Sequence, residues 1–106
     1  MIHGSEPSQL FIDMIHGAYH QEAGAGGIWS PVTEVTVAGI WNQIVTMGLK
    51  KVWPFGEIFA WDPRNDGQQR NRIADIAEGI RQGYVPGMRL AMNDRGREIV
   101  VHEGTP

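Results

Sequence analysis

Cysteine is missing from all 106 residues. That removes a disulfide framework and thiolate chemistry, and makes a cytoplasmic setting the simplest fit. Long apolar runs are missing too, since none approaches the roughly 18 residues that a membrane span needs. The opening "MIHGSEPS" has no basic stretch leading into an apolar one, so no secretory signal is expected. Lysine and arginine are absent from residues 1–49, where Glu6, Asp13, Glu22 and Glu34 leave a net charge of −4. Residues 50–106 hold all nine basic residues against eight acidic ones, a net of +1. The overall charge of −3 argues against a protein that lives on nucleic-acid phosphates. The acidic half suits a basic surface on a partner instead.

What is present describes a globular chain. An apolar fraction of 42% with 20% charged residues supplies one modest core, so residues 1–106 are read as a single α+β domain. In "SEPSQLFIDMIHGAYHQE", Phe11, Met14, Ile15, Ala18 and Tyr19 recur at helical spacing and predict a helix from about Pro7 to Glu22, capped by Ser5. The glycines of "AGAGG" follow that helix rather than open one, and read as a stop and loop instead of a phosphate cradle. A second helix is expected from Ser30-Pro31 to Gly48, although the Val/Thr richness of residues 32–37 also suits a strand. Ala38 and Gly39 would let a neighbour approach closely.

"LKKVWPFGEIFAWDP" reads as one or two strands. A third helix then opens at Asp66, with Gln69 completing a capping-box pattern, and ends at Gly83. Ile73, Ile76, Ala77 and Ile80 form its apolar face. "GMRLAMNDRGREIVVH" predicts a hairpin: Met88, Leu90 and Met92 alternate with polar residues, "NDRG" turns, and Ile99 and Val101 return. The expected architecture is therefore two N-terminal helices and a third helix packed on a small, mainly antiparallel sheet with a C-terminal hairpin.

Three groups of residues carry candidate chemistry. Asp13, His16 and His20 follow one face of the first helix, where imidazoles one turn apart converge on a divalent metal; the plainer reading is a polar helix face. Arg64, Asn65, Arg70 and Arg72 stand before or on the first turns of the third helix, whose N-terminus favours anions or a nucleotide. Asp62, Asp66 and Asp75 lie among those arginines and offer them local ion pairs instead. Four tryptophans are many for this length, and Trp53, Phe55, Phe59 and Trp61 are of the types that protein interfaces concentrate, while Trp41 is expected in the core. No cofactor is expected.

Residues 52–106 resemble the front half of a ParB/sulfiredoxin-like domain. Asp62-Pro63-Arg64 stands at its Asn-Pro-Arg-type turn, "RIADIAEGIRQG" at its helix, Pro86 at its proline and "MRLAMNDRGREIVVHEG" at its hairpin. No arginine follows the closing "EGTP". The resemblance thus implies a related scaffold, with Arg64 and Gly104 at matching positions, and not the family's nucleotide-hydrolysing chemistry. His3-Gly4-Ser5 with "GIWSPVTEVTVAGIW" is similar in a fainter way to the early part of ADP-ribosyltransferases, although Trp29 stands where a tyrosine is usual.

These readings rank three functions. First is a non-catalytic binding or regulatory protein with a protein partner, its composition similar to that of small phage or mobile-element inhibitors of host defence complexes. Second is a nucleotide- or nucleic-acid-binding ParB-like module. Third is a small transferase-like or metal-dependent enzyme. A homo-oligomer is compatible with the first, and none of the three calls for a membrane.

Overall fold

The apolar stripe on the first segment does build a helix. In the computed structural model, which describes residues 9–24, 34–48 and 62–103, α1 runs Gln9–Ala23. It buries Phe11, Ile15, Ala18 and Tyr19, with Met14 half-buried beside them. Gly24 N–H closes its last turn by donating to His20 O at 3.1 Å.

The second helix starts later than expected. Residues 34–36 are extended, and α2 spans Val37–Thr46. β-branched residues favour a pleated, half-buried setting, and Val35 takes it: it is fully buried and forms an antiparallel bridge with Val100. Thr36 then caps α2, its hydroxyl accepting from Gly39 N–H at 2.9 Å. Trp41 lies wholly inside, with Ile40 and Ile44. Burying side chains of this size contributes about 1.5–3 kcal/mol each.

α3 runs Asp66–Arg81, and its cap is Asn65 rather than Asp66. Asn65 has the extended backbone that a cap requires, at φ −89° and ψ 100°, and its Oδ1 accepts from Gln68 N–H at 3.1 Å. Asp66 is left in the first turn, where the helix dipole favours a carboxylate. At the far end Gly83, at φ +81°, lets Tyr84 N–H return to Gly79 O and its own N–H to Ile80 O. A side chain rarely adopts that backbone, so the helix stops there.

The hairpin pairs β1, Met88–Met92, with β2, Glu98–His102, in antiparallel register. Its turn follows from Asn93, whose Oδ1 accepts from both Arg95 N–H and Arg97 N–H, and from Gly96 at φ +76°. The register sets Met88 opposite His102 and Leu90 opposite Val100. Opposed residues share a face, so Val100 is the core residue of β2, while Ile99 and Val101, named for the returning strand, are half-buried on the other side. Met92, at the hairpin tip, is 67% exposed.

Helices α1 and α2 pack on each other, α2 on α3, and α3 on β1, giving an α+β arrangement around one apolar cluster. None of the described helices is long and apolar enough to cross a membrane. The strands expected within "LKKVWPFGEIFAWDP" lie outside the described residues up to Trp61, as do the Ser5 cap and the Ser30-Pro31 start signal.

A candidate histidine site

His16 and His20 sit one turn apart on α1, beside the buried stripe. The hairpin register turns His102, the last residue of β2, onto the same face as Met88 and Val100. The result is a cluster assembled from two distant parts of the chain. The His102 ring lies 5.3 Å from that of His16, edge-on at 73°, and 5.4 Å from that of His20 at 52°. Tyr19 closes the inner side, its ring 5.4 Å from His102 and 5.8 Å from His20.

The backbone holds this cluster on its outer side. His16 Nε2 donates to Pro86 O at 2.8 Å, which tethers α1 to the connection between α3 and β1. Next to it, Gly87 at φ +81° abuts His102: a Cβ there would lie 3.6 Å from the ring's Cε1 and Nε2. Glu103 N–H donates to Gly87 O at 2.6 Å and pins the end of β2 in place.

Electrostatics follow from this crowding. Burial, then the neighbouring His16 and His20, push the His102 imidazole below its ordinary 6.5. Burial raises the Tyr19 phenol above 10.0, partly offset by a hydrogen bond from the His102 backbone. The surroundings of His102 therefore favour its neutral ring.

The site only overlaps the expected metal set. Asp13 is exposed and accepts from Gln9 Nε2 at 2.9 Å. Among the described residues no three His, Asp or Glu side chains are placed to hold a metal ion. Sequence reasoning missed His102, which is 82 positions from His20. The available signal was the "NDRG" turn, because its register puts position 102 across from Met88.

The arginine-rich segment does not gather into one site. Arg64, with a side chain 90% exposed, binds back on Asp62 at 3.2 Å. That contact and the Arg64 N–H hold the Asp62 carboxyl below its ordinary 3.8, the backbone donor contributing most. Arg72 pairs with Asp75 at 3.6 Å, both largely buried. It lines a shallow groove with Asn71, Ala74, Asp75 and Glu78, in which two carboxylates outweigh one guanidinium. Arg70 is exposed, and two positions on a helix turn it about 200° away from Arg72. The surplus amides have structural partners: Asn65 caps α3, Gln68 Oε1 accepts from Asp62 N–H, and Gln69 Nε2 donates to Pro63 O. Trp53, Phe55, Phe59 and Trp61 lie outside the described residues, and Trp41 is core.

Comparison of the chain with protein-family models, with curated proteins and with solved structures finds no match.

Proposed function

We propose that the chain is a binding protein that acts on a protein partner through apolar side chains that the packed α1–α2 pair leaves exposed. One observation supports this reading above others. Glu22, near the C-terminus of α1, reaches α2: its Oε1 accepts from Gln43 Nε2 at 3.1 Å, and its other oxygen lies over Gly39. Leu10 stands at the start of α1 and Met47 just after α2, on helices that pack against each other. They are 52% and 44% exposed, and they are two of the three large apolar side chains left open among the described residues. Trp53, Phe55, Phe59 and Trp61 follow Met47 in the sequence. Methionine and aromatic side chains are enriched at interfaces, and tryptophan is among the few that carry most of their binding energy.

The test is a variant carrying Leu10→Asp and Met47→Asp, with Met92→Asp as a control elsewhere on the surface. Affinity-tagged chains are used to capture partners from the source cell, and affinity for the purified partner is then measured. Loss of a central apolar anchor is expected to weaken binding by at least about tenfold, with unchanged circular dichroism. Equal binding by the double variant and the wild type would refute the reading. Sedimentation of the wild type identifies the case in which the partner is a second copy.

A further inference from the structure

We infer that His16, His20 and His102 form a proton-operated latch, in which neutral imidazoles hold the β1–β2 hairpin against α1 and added protons loosen that contact. The inference is independent of the proposed interface.

The geometry carries it. Each contact joins segments far apart in sequence: His16 meets Pro86 across 70 positions, and both α1 imidazoles meet a ring at the end of β2. His102 stands between the other two, so charge on either neighbour acts on it directly. The His16–Pro86 hydrogen bond places a proton on His16 Nε2, so an incoming proton must take Nδ1 of a ring whose centroid lies 5.3 Å from that of His102. Two positive rings at this spacing repel, and the phenol ring of Tyr19 and the backbone of Gly87 keep part of the water away.

The charges around the cluster fit this role. From α1 come His16, Tyr19 and His20, with Asp13 one turn earlier and engaged by Gln9. From the connection between α3 and β1 come the Pro86 carbonyl and Gly87. From the hairpin come Arg89 and Glu103, bound to each other. Arg89 pairs across from Val101 and so alternates onto the face opposite His102. Glu103 is thus drawn toward the far face.

The sign follows from linkage. A histidine whose folded form resists protonation contributes stability above its unfolded value of 6.5, and that stability is lost as pH falls through this region, because the unfolded chain binds more protons.

Three measurements test the latch. Melting temperature is recorded from pH 7.5 to 5.0 for the wild type, for His16→Gln/His20→Gln, and for His20→Gln. The wild type is expected to lose several degrees of melting temperature, on the order of 5 °C, as pH falls below 6.5, while the double variant shows a flatter profile. Should the double variant fail to fold, His20→Gln alone keeps the His16–Pro86 tether and is expected to flatten the profile in part. Proton NMR of the imidazoles reads His102 directly: its midpoint is expected below 6.5 and moves upward when His20 is replaced. Identical melting profiles in all variants, or a His102 midpoint at or above 6.5, would overturn the latch. So would zinc at pH 7.5 raising the wild-type melting temperature but not that of the double variant, since the cluster would then be an ion site.

Discussion

Gly39→Ala offers a substitution whose sign is decided by one neighbour. Replacing glycine by alanine in a helix ordinarily stabilises by about 0.4–1 kcal/mol, through lost freedom in the unfolded chain. Here the new Cβ would lie 2.7 Å from Glu22 Oε2, 3.0 Å from its Cδ and 3.2 Å from Thr36 Oγ1. The carboxylate is the end of a flexible side chain and swings away, but its Oε1 then releases Gln43 Nε2. A hydrogen bond to a charged acceptor contributes about 1.5–3 kcal/mol, and the lower figure suits the half-buried Glu22. Thr36 also gives by a few tenths of an ångström, at some cost to its cap on Gly39 N–H. The net expectation is a loss of about 1 kcal/mol in urea unfolding.

In a Glu22→Ala background the main obstruction is gone, and the same glycine substitution is expected to be neutral or to stabilise by a few tenths of a kcal/mol. The double-mutant cycle should therefore return a coupling of about 1 kcal/mol, above the roughly 0.3–0.5 kcal/mol scatter of independent sites. If Gly39→Ala costs the same in both backgrounds, Glu22 does not set the spacing of α1 and α2 as described.

Two further substitutions probe the frame that carries the site. Asn65→Ala removes the α3 cap that holds Gln68 N–H and should cost about 1 kcal/mol in urea unfolding, whereas Asp66→Ala should cost clearly less; the reverse order would restore Asp66 as the cap. Ile76→Ala empties a fully buried position on α3 and should cost about 2–5 kcal/mol, read as a fall in the denaturation midpoint at unchanged slope.

Helical periodicity was the most legible signal in the chain. Phe11, Ile15, Ala18 and Tyr19 on α1, and Ile76 and Ile80 on α3, are buried as their spacing predicts. The hairpin was readable because alternation and turn chemistry agree from Met88 through "NDRG". The start of α2 was not, since Val32 to Val37 satisfy helix and strand patterns alike; the choice is made by Val100, which offers Val35 a strand partner. In "EIVVH" three consecutive apolar residues hide which face is inward, and only the register against β1 selects Val100 and, with it, His102. Pairwise reading of the first helix found His16 and His20 but supplied Asp13 as their companion. A third member from a distant strand is a property of tertiary packing, and local spacing does not encode it.

The bridge between Val35 and Val100 also sets an order of events in time. Its two residues stand 65 positions apart, and closing a loop of that length costs about 4 kcal/mol of chain entropy before any contact repays it. At ribosomal speeds of about 5–20 residues per second, Val35 emerges roughly 3–13 s before its mate. Through that interval Val35 has no strand to receive it, and anything that binds unfolded apolar chain competes with the later segment for it.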